Sequence, residues 1–202
     1  KCAKAGFFHH GGIDWLASLA SAKPVMRGYK IRRLIFKPYK KSAHSLHVLL
    51  IDLSASTLSN RALSQAKGLL AGSWKKAYKK RQAWVVFAFQ GNTVKRLFGP
   101  ARPAPSANTF LDQLQGGGNT PLRLGLLTAC KFISLQQARW LAVKLFIISD
   151  GRSQDNIQDV RLPCACVVID TENAAIRLGR CRQIARQLDA DYMHINHMSP
   201  LN

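Results

Sequence analysis

Five short apolar runs, separated by segments with helical spacing, confine this chain to an alternating strand-and-helix fold. SLHVLLID (45–52) is nearly continuous in apolar residues, as a central parallel strand covered on both faces would be. AWVVFAF (83–89) reads as a second strand, and QGNTVKRLFGP as a turn at Gly91-Asn92 followed by a short edge strand. LAVKLFIISD, PCACVVID and DYMHI supply the remaining strands. Between them, NRALSQAKGLLAGSWKKAY sets Ala62, Leu63, Ala66, Leu69, Leu70 and Trp74 along one side of a helix. PLRLGLLTACKFISL makes a second helix, with Pro121 acceptable at its first position, and AIRLGRCRQIARQL a third. Alternation of this kind predicts an α/β fold: a doubly wound, mostly parallel central sheet flanked by helices, joined by right-handed crossovers, with one antiparallel edge strand.

A chain of 202 residues that is 47% apolar can bury the core of one such domain. The expected division is a basic leader over 1–44 and the α/β domain over 45–202. No run approaches the roughly 20 apolar residues needed to cross a bilayer. The sequence begins at Lys1 without Met, and FFHHGGIDWLASLA lacks the layout of a signal peptide, so a cytoplasmic location is expected. The five cysteines have no framework spacing. Cys164 and Cys166 in CACVVID are read as facing opposite sides of a strand, unable to pair or share a metal.

The polar residues that end these runs carry the chemistry. Asp52, Ser54 and Ser56 follow the first strand in LLIDLSAS, Thr120 lies in GGGNTPL, and Asp150 ends LFIISD. In an α/β sheet the carboxyl ends of the strands are where ligand-binding groups gather. Two carboxylates and three hydroxyls form an all-oxygen set suited to a hard divalent cation, since magnesium takes about six oxygens and only one or two protein carboxylates. Zinc or copper would call for nitrogen or sulfur donors. DLSAS also suits a helix N-cap, a role open to Asp and Ser. The three glycines before Asn119 allow the backbone to approach a site closely. Gly118, Asn119 and Arg152 are the candidates for touching a partner there.

Asp-x-Ser-x-Ser, a downstream Thr and an Asp-Gly turn, in this order, resemble the metal-ion-dependent adhesion site of von Willebrand factor A (VWA) domains. GGGNTPLRLGL, LFIISDGR and VVIDTENAAIRLGRCRQIARQLDADYMHI narrow the resemblance to the VWA domain of the D subunit of magnesium chelatases and their cobalt-chelatase relatives. The similarity covers roughly residues 45–196 and departs at Thr57, where the family commonly has Met. It implies a noncatalytic subunit of an ATP-dependent chelatase that inserts magnesium or cobalt into a tetrapyrrole. It further implies that Asp52, Ser54, Ser56, Thr120 and Asp150 hold Mg2+, with Mn2+ or Ca2+ possible, and that a carboxylate from a partner completes the site. The implied partners are an AAA+ ATPase subunit and a large tetrapyrrole-binding subunit. Full D subunits also carry an AAA+-like module and an acidic, Pro-rich linker; neither occurs in this sequence, which leaves a fragment and a short stand-alone form both open. No G-x-x-x-x-G-K-[ST] is present, and no serine–histidine–acid set suggests itself, so no catalytic residue is assigned.

Thirty Lys and Arg oppose ten acids, a net charge of +20. Arg27, Lys30, Arg32, Arg33, Lys37, Lys40 and Lys41 crowd the leader, while Lys75, Lys76, Lys79, Lys80 and Arg81 end the first long helix. Cations at that end complement the helix dipole. The surplus suits an acidic partner or nucleic acid; Trp74, Tyr78 and Trp84 interleave aromatics with bases as single-strand binders do, but helical spacing puts Trp74 with the core residues and Trp84 opens a buried strand. A general VWA adaptor, or a basic VWA protein that binds nucleic acid, is therefore the alternative function. His194 and His197 have metal-like spacing but no third ligand nearby and are read as structural.

Overall fold

The apolar runs pair into a six-stranded sheet in the order β5-β4-β3-β6-β7-β8, with β3 at Leu46–Asp52, β4 at Ala83–Gln90, β5 at Thr93–Ala101, β6 at Val143–Ser149, β7 at Ala165–Asp170 and β8 at Asp191–His194. This computed structural model describes residues 13, 15–21, 23–25, 28–30, 34–35, 44–53, 60–103, 121–173 and 178–197. Two compact units divide the chain, 1–42 and 43–202. In the first, a helix α1 (Trp15–Ala20) precedes antiparallel strands β1 (Lys23–Val25) and β2 (Gly28–Lys30). There the buried Ser18 hydroxyl accepts the Ile35 amide at 2.9 Å.

In the second unit, β4, β3, β6, β7 and β8 are parallel and β5 alone is antiparallel. The chain moves from β3 outward to β4, then returns to β3's other flank as β6, so the order reverses between β3 and β6. Such a switch point leaves a crevice at the strands' carboxyl ends. Helices α2 (Asn60–Lys79), α3 (Leu122–Gln136) and α4 (Arg180–Gln187) make the crossovers.

Both faces of the sheet are covered, which is why the strands lack polar alternation. Every residue of β3 is buried. Leu46, Val48 and Leu50 join a core with Leu122, Leu126, Ala129 and Ile133 of α3 and with Cys181, Ile184 and Ala185 of α4. Leu49 and Ile51 join the opposite core with Leu69, Leu70, Trp74 and Ala77 of α2. Each such aliphatic side chain contributes about 1.5–3 kcal/mol on burial. Trp74 and Trp84 are both core residues, as their helical and strand positions require. Gly125 lets α3 approach the sheet: a Cβ there would stand 3.1 Å from Phe89 and 3.3 Å from Leu50.

Three expectations need amendment. The edge strand β5 is nine residues long rather than short, because it follows β4 back along most of its length through a register shift near Trp84 and Val86. The last crossover helix starts at Arg180, since Gly179 takes a φ of +64° outside helical space. Cys164 and Cys166 pack toward the same core, together with Cys130, because residues two apart along an extended chain share a face. These thiols are free, and burial pushes Cys164 up to about 11 and Cys166 and Cys181 higher still, which removes thiolate reactivity.

His47 is the core's titratable weak point. Its ring stands edge-on to Trp84 at 5.1 Å and Phe146 at 5.4 Å, and Nδ1 has no hydrogen-bond partner. Burial first, then the charges of Lys144 and Lys80, lower its pKa to about 4. The unfolded chain, with His47 near 6.5, binds the extra proton first as pH falls, so stability is lost between about pH 6.5 and 4. His47→Phe, which keeps an aromatic ring there, should flatten this acid limb by about 3 kcal/mol, an order-of-magnitude figure. Urea unfolding of both proteins at pH 7 and pH 4 measures the difference.

Candidate metal and partner-docking site

Asp52 ends β3 and Asp150 follows the last residue of β6, so the parallel pairing of these strands brings the two carboxylates to one end of the switch point. Asp52 is fully buried and Asp150 is 5% exposed. Between them stands Ser149, whose hydroxyl donates to Asp52 Oδ2 at 2.8 Å and accepts the Gly151 amide at 3.1 Å. One side chain thereby ties the end of β3 to the turn after β6. Ser149 was not singled out from sequence; the signal was a hydroxyl in an otherwise apolar strand end, immediately before an acid.

Asp150 is incompletely satisfied. Its Oδ1 accepts the Arg152 amide at 3.1 Å, while the buried Oδ2 has no hydrogen bond. The Arg152 guanidinium, half-exposed, leans toward that oxygen with Nε at 3.5 Å, a charge contact too long to count as a hydrogen bond. A buried carboxylate oxygen without a donor is costly unless a cation supplies the missing charge. Together with the buried Asp52, it suits a hard cation held by oxygen. Arg152 therefore folds back on Asp150 in this structure rather than reaching outward. Ser54, Ser56, Gly118, Asn119 and Thr120 lie outside the described residues. Among the described residues no group of three His, Cys, Asp or Glu is arranged to hold a metal.

The surroundings hold this corner still. Gly151 has a φ of +75°, and a Cβ on it would stand 2.8 Å from the Cys181 amide nitrogen, so α4 packs directly against the Asp-Gly turn. Arg123, in the first turn of α3, donates its amide to Asp155 at 2.8 Å and its guanidinium to both oxygens of Asp159. That guanidinium holds the Asp159 carboxyl down at about 2. The helix following Thr120 is thus clasped to the loop following Asp150. Beside Gly151 a cleft of about 310 Å³ opens, lined by Leu122, Asp155, Arg180, Gln183 and others.

One strand further on, a second buried polar cluster serves structure. Asp170 accepts the Glu172 amide and the Tyr192 hydroxyl, each at 2.8 Å. Glu172 accepts the amides of Leu178 at 2.8 Å and Gly179 at 3.1 Å, placing a carboxylate before the start of α4. His194 Nδ1 accepts the Asn196 amide, so Nε2 carries the proton and donates to the Glu172 carbonyl at 3.1 Å. His194 is therefore committed to the backbone, while the His197 ring stands edge-on to it at 5.9 Å.

No family model matches the chain. Among curated proteins, it is 25% identical over 185 residues to the magnesium-chelatase 67 kDa subunit of Chlorobaculum tepidum, covering 79% of this chain and 30% of that protein. It is 27% identical over 175 residues to the 60 kDa subunit of Cereibacter sphaeroides, covering 78% and 31%. An uncharacterized protein of Mycobacterium tuberculosis is 28% identical over 167 residues, covering 76% and 27%. The chain thus spans less than a third of the length of these relatives. Among solved structures, the von Willebrand factor type A domain from Catenulispora acidiphila superposes with a TM-score of 0.54 at 16% identity, over 78% of this chain and 39% of that one. An aerotolerance-related membrane protein from Bacteroides fragilis gives 0.57 at 16% identity, over 75% and 90%.

The sheet order, the antiparallel edge strand and the superposition give this chain the fold of a VWA domain. Its sequence relatives include the 67 kDa and 60 kDa subunits of magnesium chelatases. Gly151→Ala tests how tightly the Asp150 corner is held: positive φ and contact with the α4 backbone should lower stability by about 1–3 kcal/mol. Thermal and urea unfolding measure that loss, and retention of wild-type stability would show that the turn relaxes freely.

Proposed function

We propose that this VWA domain is the noncatalytic docking component of an ATP-dependent metal chelatase, which inserts magnesium or cobalt into a tetrapyrrole. The observation that carries the reading is the pair of buried carboxylates, Asp52 and Asp150, at adjacent strand ends, one of them with an oxygen lacking a hydrogen bond. Likeness to chelatase subunits supplies the biochemical setting. Asp52, Ser54, Ser56, Thr120 and Asp150 would hold Mg2+, or Mn2+ or Ca2+ in its place, and such a cation supplies an open coordination position to a partner's carboxylate.

In this reading, the chain's own residues prepare the surface. Ser149 orients Asp52 by donating its hydroxyl to Oδ2. The Arg152 amide fixes Asp150 through Oδ1 and leaves Oδ2 for the cation. Freed from Asp150, the Arg152 guanidinium reaches an incoming carboxylate with charge-assisted hydrogen bonds. Gly118 and Asn119 flank Thr120 and would contact the same segment. The partner at this face is an AAA+ ATPase subunit, and the larger assembly includes a tetrapyrrole-binding subunit. The metal at this site bridges two proteins and is separate from the metal being inserted.

Asp150→Asn keeps the shape and removes the charge. It should weaken Mg2+ binding at least tenfold, measured by calorimetry, while the circular dichroism spectrum stays that of wild type. Affinity capture of an AAA+ ATPase from extract should succeed with wild-type protein plus Mg2+ and fail with EDTA or with Asp150→Asn. Capture by the variant with unchanged Mg2+ dependence would refute the bridging role.

A further inference from the structure

The positive charge of the chain is unevenly placed. From Leu53 to Leu111 there is no acidic residue, while Arg61, Lys67, Lys75, Lys76, Lys79, Lys80, Arg81, Lys95, Arg96 and Arg102 fall within it. In the fold, the cationic end of α2 leads into Ala83, the first residue of β4. Arg102 follows Ala101, which pairs with Trp84 near the same end of that strand. Lys144 is the second residue of β6 and pairs with His47, the second residue of β3. These cations therefore converge where the parallel strands begin, whereas Asp52 and Asp150 lie where β3 and β6 end. Strands of seven residues separate the two sites by roughly 20 Å. The lowered pKa of His47, caused in part by Lys144 and Lys80, reports the positive field at this edge.

Local details show a surface built to carry cations. Lys75, Tyr78, Lys79, Lys80, Arg81 and Arg102 are exposed. Arg102 lies over the Tyr78 ring at 4.0 Å and donates from Nε to the Tyr78 carbonyl at 3.0 Å, so its guanidinium is held in place. Arg81 has a φ of +53°, at a helix end where Gly is usual. Dipole complementation accounts for a cation or two at the end of α2; it does not account for Lys144 on β6, nor for an Arg at the left-handed position.

We propose that this amino-edge surface, formed by Lys75, Lys79, Lys80, Arg81, Arg102 and Lys144, binds the phosphate backbone of a nucleic acid without reading its sequence. Protein–protein interfaces are poor in Lys and anchor on apolar side chains. Here Lys predominates, and the exposed large apolar side chains at this edge among the described residues are Tyr78, already overlaid by Arg102, and Leu141 just before β6. Neutralising phosphates releases counterions, which gives such a surface its binding free energy and its salt dependence. The proposal does not require the metal site, and the separation leaves both faces accessible at once.

The test is fluorescence anisotropy with the full 202-residue chain and labelled mixed-sequence single- and double-stranded oligonucleotides. Salt is varied over roughly 50–200 mM. The variant K75Q/K79Q/K80Q/R81Q should lose at least about tenfold in affinity, and its log K against log salt slope should become shallower by about 3. A control, K131Q/R161Q/R182Q/R186Q, removes the same charge from exposed positions outside the surface and should change binding little; melting curves establish that both variants fold. Asp52→Asn should bind nucleic acid as wild type does, with or without EDTA, so failure of the metal reading leaves this result unaffected. Three results would each overturn the proposal: no binding by the wild type, equal loss in both quadruple variants, or displacement of the oligonucleotide by polyglutamate at equal charge concentration. The last would mark the surface as a site for an acidic protein segment.

Discussion

The parallel pairing of β3 with β6 is the contact on which the rest of the domain depends. It fills the middle of the sheet with Val48–Leu145, Leu50–Ile147 and Ile51–Ile148 neighbours, buried on both faces. It also sets where two carboxylates meet, because the register that aligns those apolar pairs carries Asp52 beside Ser149 and one residue from Asp150. A one-residue slip would turn the apolar set to the wrong faces. The hydrophobic core and the polar corner are thus one constraint seen at two ends of the same strands.

That corner is expensive, and the surrounding structure offsets the cost. Asp170 and Glu172, almost as buried as Asp52, are each satisfied by two donors, and they fix the loop into α4. Asp150 differs from them in keeping an oxygen without a hydrogen bond. The contrast sets Asp150 apart from carboxylates whose hydrogen bonding is complete, although all of them lie at or just past the carboxyl ends of strands in the same sheet. Arg123 and Gly151 hold this corner in place, the first by clasping a loop and the second by allowing α4 to pack on the turn. At the opposite edge, Lys144 and the cationic end of α2 lie where β6 and β4 begin.

Much of this was legible in the chain. The continuous apolar runs identified β3, β4, β6 and β7 because both faces of a parallel sheet are covered. Trp74 and Trp84 were placed in the core by helical and strand position, and they lie there. The length of β5 was harder to read, since a half-exposed edge strand with a bulge has weak alternation. The start of the last helix was hidden because Ala175, Ile176 and Leu178 continue a helical pattern up to Gly179. The roles of Ser149 and Arg123 were not legible for a different reason: they arise from neighbours distant in sequence, Asp52 for Ser149 and Asp159 for Arg123.

The sequence by itself determined which elements form and which residue types end them, because backbone periodicity and apolar patterning are local properties read within a window of a turn or two. It also determined the charge, including the acid-free span from Leu53 to Leu111. Only the tertiary structure decided which strand ends lie side by side, which carboxylate is left with an oxygen to offer, and which way Arg152 turns. Those outcomes follow from contacts made across as many as 97 residues, as between Ser149 and Asp52, and no local pattern encodes them.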